Sequence, residues 1–491
     1  MQCFVGMKKA LSNLGRNVKL VLKLGAGFFA DAYDLFVIDI VLSILQEQAL
    51  VDESGIGFTT STKSLIAAAT SIGAVIGMLV FGVIGDLVGR RAGVLITGSL
   101  VAVGSLLSAC CVRSESVSLM TQLALYRTLL GIGIGGEYPL SASMASEGAD
   151  ASVRGRVVAG VFSMQGVGML FSSLLGYLLL AGFDADLEFT WRFLLAFGAV
   201  PALIALWFRY HMHPHPSHSA TVAPLSTATD GPVAAGGCGK TLSVLKDYKL
   251  PLLATASAWF LLDVTFYGTG EFKHAVSNEL FPENAALNSH ERVAQDALFG
   301  IIISAIALPG YICSCIWIDK IGRWKLQVGG FIAMTLVYIG MALAIRGDVS
   351  STANLVIFGL TFFFTNFGPN TTTFIIPSEI YPASVRATCH GLSAAFGKLG
   401  AIVGSAGFPP CIAAVGLDGV MYICAGIALA GFFVSAFLLD KKLVDAAAQR
   451  PKEVSVDSDS SESAEDSPRK LDSDTLASEP TGREISPCVS V

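Results

Sequence analysis

Apolar runs of about 20 residues, the length a helix needs to cross a bilayer core, recur along this chain between short polar breaks. They fall at residues 21–45, 64–85, 91–112, 117–145, 156–181 and 190–209, and again at 251–271, 297–318, 326–346, 353–377, 388–413 and 417–438. The pattern predicts an all-α membrane protein of twelve transmembrane helices in two six-helix halves, residues 1–209 and 251–440. Residues 210–250, rich in His, Pro, Ser, Thr and Gly, read as a flexible cytosolic linker. Residues 441–491 read as a disordered, acidic, serine-rich cytosolic tail.

Composition agrees with a chain whose main partner is the lipid bilayer. Of 491 residues, 53% are hydrophobic and 14% charged, with a mean hydropathy of +0.63. Soluble chains carry about 25% charged residues. From Asp440 onward there are 12 acidic and 7 basic residues, which leaves 26 acidic and 25 basic in the membrane body. That body is nearly neutral, so no nucleic-acid partner is indicated. The ten cysteines lack zinc-type spacing and read as small packing residues, with no metal and no cofactor expected. The histidine run between His211 and His218 reads as solvated linker.

Lys and Arg collect in alternate short loops, at Arg90, Arg91, Arg154, Arg156, Lys246, Lys249, Lys320, Arg323, Lys325, Arg386, Lys441 and Lys442. The positive-inside rule then places both termini in the cytosol. Two of these loops repeat. Gly85-Asp86-Leu87-Val88-Gly89-Arg90-Arg91 returns as Ile318-Asp319-Lys320-Ile321-Gly322-Arg323-Trp324. Ser146-Glu147 with Ala151-Ser152-Val153-Arg154 returns as Ser378-Glu379 with Ala383-Ser384-Val385-Arg386. Matches at nearly one offset argue for duplicated halves. Parallel six-helix halves and a D-x-x-G-R-[RK] loop resemble the major facilitator superfamily, in which the site lies at the midplane between halves. The loops read as a latch in which Asp86, Arg90, Glu147, Arg154, Asp319, Arg323, Glu379 and Arg386 form charge-assisted pairs that hold the halves together in one state.

Ionisable groups inside apolar segments mark a transport path by default, because hydrocarbon penalises them unless they pair or face a polar cavity. The fourth segment carries Arg127, Glu137 and Tyr138, and the first carries Asp31 and Asp34 one turn apart, with Arg127 as a structural counter-ion to one of them. Asp39 lies nearer the outer end and reads as solvated. Trp259, Asp263 and Tyr267, at i, i+4 and i+8, share one helical face. Asn370 follows a Gly-Pro break, where a kinked membrane helix lines a cavity. Gln165 adds a neutral donor and acceptor. Lys398 lies roughly 15 Å of helical rise from Arg386, too deep for snorkelling, and is expected to pair with a carboxylate or an anion. Gly131 to Gly136 match G-x-G-x-x-G, but inside a spanning helix the glycines read as packing positions that let Glu137 and Tyr138 reach the cavity.

GIGIGGEYPLSASMASE, NFGPNTTTFIIPSEIYPASVRAT and HGLSAAFGKLGA resemble signatures of the phosphate:proton symporters of the major facilitator superfamily, of fungal and plant type, over residues 21–440. The resemblance implies a secondary active transporter rather than an enzyme, importing inorganic phosphate with protons, in the plasma membrane. It implies phosphate binding at Tyr138, Gln165, Trp259, Asp263, Tyr267 and Asn370, and matches Lys398 to the family's membrane lysine. Glu137 stands where the family typically has Asp. Asp31 or Asp34 together with Glu137 would carry the protons. Phosphate suits Asp263 on chemical grounds, since its O–H groups donate to a carboxylate while sulfate, unprotonated at neutral pH, is repelled. A sugar or organic-solute porter of the same superfamily and a non-transporting phosphate receptor are the rival readings.

Overall fold

The computed structural model describes residues 2–51, 56–114, 116–183, 185–212, 246–270, 273, 276, 277, 281, 287–347 and 349–450. The expected linker is therefore outside the described residues except at its two ends, and so is the tail beyond residue 450.

The described chain is helical throughout. In order it forms α1 (Gln2–Val51), α2 (Thr60–Leu87), α3 (Arg90–Ala109), α4 (Leu119–Gly148), α5 (Arg154–Tyr177), α6 (Leu187–Phe197) and α7 (Ala199–Tyr210). It continues as α8 (Lys249–Gly270), α9 (Ser289–Ile321), α10 (Arg323–Arg346), α11 (Ser351–Asn366), α12 (Pro369–Ile380), α13 (Arg386–Phe437) and α14 (Lys441–Gln449). Eight helical stretches cross a membrane on length and apolar composition alone, α6 and α7 counting as one. The remaining predicted spans are α1 and α4, which carry charged residues at mid-length, and the pair α11 and α12.

Local chemistry sets where these helices start and bend. Side-chain oxygens of Thr59, Ser118, Asp186, Asn288 and Ser350 accept from free backbone N–H groups in the first turns of α2, α4, α6, α9 and α11. The two repeated loops turn on Gly89 (φ 115°) and Gly322 (φ 91°), a left-handed backbone that side chains disfavour. The eleventh and twelfth predicted segments are two helices that meet at Gly416, whose backbone is non-helical (φ 73°, ψ 170°), and they are counted together as α13. Pro369 begins α12 after the two intervening residues Phe367 and Gly368, and Gly368 crosses Gly330 of α10 so closely that a Cβ on Gly368 would lie 2.8 Å from the Gly330 Cα.

Two expectations about extent are corrected. The first helix runs 50 residues instead of 25. The sixth span keeps its expected extent as Leu187–Tyr210, with only a local irregularity at Gly198 (φ −54°, ψ −31°), where a Cβ would lie 2.1 Å from an oxygen of Asp34. Residues 441–449, assigned to the disordered tail, form the amphipathic helix α14, which buries Val444 and Ala447; Arg154 donates to the Arg450 carbonyl just beyond it, at 3.1 Å.

Burial follows the logic of a bilayer. Ile76, Leu79, Val80 and Val83 of α2 and Leu336 and Leu343 of α10 are exposed on the outside, whereas Asp31, Asp34, Arg127, Glu137, Arg209, Asp263 and Lys398 are buried inside. Close packing relies on glycine. A Cβ on Gly73 or Gly77 of α2 would lie 2.0 or 2.1 Å from a backbone oxygen of α4, and one on Gly131 or Gly135 of α4 would lie 2.2 or 2.1 Å from one of α2. The dinucleotide-like run is thus a helix-crossing surface.

Candidate functional site

The centre of the molecule is built by α8 and α13. Gly400 and Gly404 of α13 lie against the α8 backbone, a Cβ at either meeting the Phe260 or Val264 oxygen at 2.2 or 2.3 Å, and Gly397 leaves space for the Trp259 ring. This close crossing brings the Lys398 ammonium to 3.2 Å from the Asp263 carboxylate and 2.5 Å from the Tyr267 hydroxyl, with all three buried. The same ammonium lies 3.9 Å from the Tyr267 ring centre and 5.4 Å from that of Tyr138. A buried cation in such a place is held by its carboxylate and by ring quadrupoles together.

Aromatic rings from both halves enclose this pair. Tyr138 packs against Phe28 at 5.1 Å, Phe374 at 6.0 Å and Trp259 at 6.3 Å between centroids, and Phe36 stacks on Tyr267 at 6.3 Å. Behind the wall, His390 stands edge-on to both Trp259 and Phe374 and bonds the Phe374 carbonyl through Nε2 at 3.1 Å. Polar groups complete the lining. Asn370 donates through Nδ2 to the Asn366 Oδ1 at 2.7 Å and to the Tyr311 hydroxyl at 3.0 Å, while the Gln165 Oε1 is buried with no donor.

A second group of charges lies wholly in the first half. Glu137 is gripped by both terminal nitrogens of Arg209, a buried fork-to-fork pair accommodated by Gly27 of α1 and Gly98 of α3. Asp31 sits beside this pair, within electrostatic reach of Glu137, Arg209 and Asp34, with both carboxyl oxygens buried. Asp34 accepts from Ser105 at 2.9 Å, and Arg127 donates to the Asp34 main-chain carbonyl.

Two predictions of residue placement change here. Consecutive helical residues point about 100° apart, so Tyr138 turns into the ring cluster while Glu137 turns to Arg209. Asp39, expected to be solvated, pairs with Lys273 at 3.5 Å. Arg209 was missed because it ends an apolar run, where an arginine reads as an interfacial anchor, and Tyr311 because one tyrosine in an apolar helix gives no signal.

The halves are tied on both sides of this centre. On the face carrying the repeated loops, Glu147 bonds Arg90 at 2.8 Å and Arg386 of the other half at 2.9 Å. Asp86 pairs with Arg90 and accepts from the backbone N–H and hydroxyl of Thr388, both at 2.7 Å. The duplicate loop reproduces this: Asp319 pairs with Arg323 at 2.9 Å and, across the halves, with Arg156 at 3.2 Å, and Arg323 also holds Glu379 at 2.9 Å. Arg154 takes a different place from its repeat mate Arg386, on the Arg450 carbonyl. On the opposite face, Arg292 bonds Glu47 at 2.8 Å alongside the Lys273–Asp39 pair. Each buried charge-assisted bond contributes about 1.5–3 kcal/mol. Glu147→Gln, which weakens the bond to Arg386 that crosses the halves, should raise the fraction of molecules open on the loop face about tenfold. Spin-label distances between the ends of α2 and α13 on that face would lengthen; an unchanged distribution would remove Glu147 from the latch.

Comparison with known proteins places this geometry. The Major Facilitator Superfamily profile matches residues 24–405. Probable inorganic phosphate transporter 1-6 of Arabidopsis thaliana is 33% identical over 467 residues, covering 85% of this chain and 90% of the relative. Inorganic phosphate transporter 1-1 of Oryza sativa subsp. japonica is 33% identical over 476 residues, with the same coverage. Among solved structures, the proton:xylose symporter XylE bound to 6-bromo-6-deoxy-D-glucose superposes with a TM-score of 0.69 at 18% identity, covering 87% of this chain and 97% of that one. The chain belongs to the major facilitator superfamily and, within it, to the inorganic phosphate transporter family.

Proposed function

We propose that this protein imports inorganic phosphate together with protons, by alternating access of residues 1–209 and 251–440 around the site at Asp263, Lys398 and Tyr267. The observation that carries the reading is the Lys398 ammonium held between the Asp263 carboxylate and the Tyr267 hydroxyl at the centre of the molecule. A protonated phosphate entering there gains Lys398 for its charge and Asp263 as acceptor for its O–H. Tyr138, Trp259, Gln165 and Asn370 supply the remaining contacts. The phosphate transporters named above support this choice of substrate.

Coupling rests on charge balance in the first half. Asp31, Asp34 and Glu137 set three carboxyls against the two guanidinium groups of Arg127 and Arg209. One surplus negative charge in a site shielded from water costs several kcal/mol, and a bound proton removes it. Asp31, buried against the Glu137–Arg209 pair and facing two further carboxyls, is the group assigned that proton, with Asp34 and Glu137 as its neighbours on the path. Protonation lowers the repulsion that an entering anion meets, and release restores it. With both termini cytosolic, as the basic loops indicate, import runs into the cytosol, and the family resemblance favours the plasma membrane as its location.

Competition tests the substrate class. Uptake of radiolabelled phosphate into proteoliposomes should be displaced by unlabelled phosphate and left unchanged by hexose. Displacement by hexose would assign the site to a sugar porter.

A further inference from the structure

Tyr311 of α9 belongs to the polar lining through Asn370, but no contact with the substrate has been assigned to it above. Its side chain is 1% exposed and its ring packs on α5, where a Cβ at Gly166, next to Gln165, would lie 2.6 Å from the Tyr311 Cδ2. The ring also lies 6.0 Å from that of Phe162, which stacks on Phe374 of the aromatic wall. Its hydroxyl accepts from the Asn370 amide at 3.0 Å and is within electrostatic reach of Asp263.

A phenol is both a donor and an acceptor. The acceptor side of Tyr311 is taken by Asn370, and among the described residues nothing accepts its proton. Two neighbouring polar atoms are in the same condition: the Nδ2 of Asn366 and the Oε1 of Gln165 are buried without partners. Asn366 is tied to Asn370, and Gln165 is adjacent to the glycine that seats the Tyr311 ring. Two unmet donors therefore meet at Asn370, from α9 and α11, and one unmet acceptor lies on α5 next to the glycine that seats the Tyr311 ring. Buried polar atoms left in this way cost free energy unless a ligand completes them. A protonated phosphate offers acceptor oxygens for both donors and an O–H for the amide oxygen.

We propose, resting on the phosphate reading above, that Tyr311 is a further ligand of the transported anion. Its O–H donates to a phosphate oxygen, while Asn366 holds Asn370 in the register that leaves this proton free. Sugar hydroxyls could use the same atoms, so phosphate specificity still comes from Lys398 and Asp263, and Tyr311 adds affinity.

The test is phosphate binding to the purified full chain by titration calorimetry. Tyr311→Phe keeps the ring and its packing, and should raise the Kd for inorganic phosphate about tenfold, the loss of one hydrogen bond to a charged ligand. Gly166→Ala, which pushes the ring away but leaves the hydroxyl, should also weaken binding. The cycle with Asn370→Ala separates direct contact from positioning: Tyr311→Phe should weaken binding further in the Asn370→Ala background. A wild-type Kd in Tyr311→Phe, or no added effect in the double variant, would overturn the assignment. If the wild type itself binds no phosphate, the substrate reading falls first and this ligand assignment falls with it.

Discussion

Asp263→Asn is expected to lower phosphate uptake at sub-saturating concentration by about 100-fold, the loss of one charge-assisted contact and of the paired state of Lys398 together. The amide has nearly the shape of the carboxylate, so α8 should still pack on the glycines of α13. What changes is charge. Lys398 now faces a neutral group across 3.2 Å and loses the partner that holds it in the empty site. Asp263 is also the element that repels an unprotonated dianion, so sulfate should become a competitor in the variant where it is none in the wild type. Normal phosphate uptake with sulfate still excluded would remove Asp263 from the site.

Asp31→Asn should separate transport from coupling. Asparagine resembles a permanently protonated aspartate, which brings the cluster around Glu137 and Arg209 to charge balance without a proton. Exchange of external for internal phosphate should continue, since the Asp263–Lys398 site is untouched. Accumulation should fail. A gradient of one pH unit supplies about 1.4 kcal/mol per coupled proton, or about tenfold accumulation, and the variant should stop at equal concentrations on the two sides. Gradient-driven accumulation at the wild-type level would take Asp31 out of the proton path.

Much of this fold is legible in the sequence because a bilayer imposes one length on every crossing element. Twelve apolar runs and two repeated loops are enough to give six plus six spans. The apolar runs stop at 413 and resume at 417, so the turn at Gly416 is bracketed by the pattern, whereas the approach of Gly198 to Asp34 is a tertiary contact that composition does not encode. The same division runs through the site. Trp259, Asp263 and Tyr267 announce themselves by spacing on one helix, and Lys398 by its depth. The pairing of Glu137 with Arg209 joins residues 72 positions apart on α4 and α7, and only packing around Gly27 and Gly98 reveals it. For the same reason α14, rich in charge and alanine, resembles tail in sequence and becomes structure by docking two apolar side chains.

The Glu137–Arg209 pair also changes how the departure from the family's usual Asp reads. The added methylene of glutamate is taken up by a guanidinium that both carboxylate oxygens engage, so the longer side chain has a defined seat on the α7 side of α4.

The central claim is that this chain moves phosphate and protons together. Its most direct test is the external pH of a weakly buffered suspension of proteoliposomes, recorded when phosphate is added. The account predicts alkalinisation that requires phosphate, scales with its uptake and disappears in Asp31→Asn while phosphate exchange persists. Phosphate uptake with no proton movement in the wild type would contradict it.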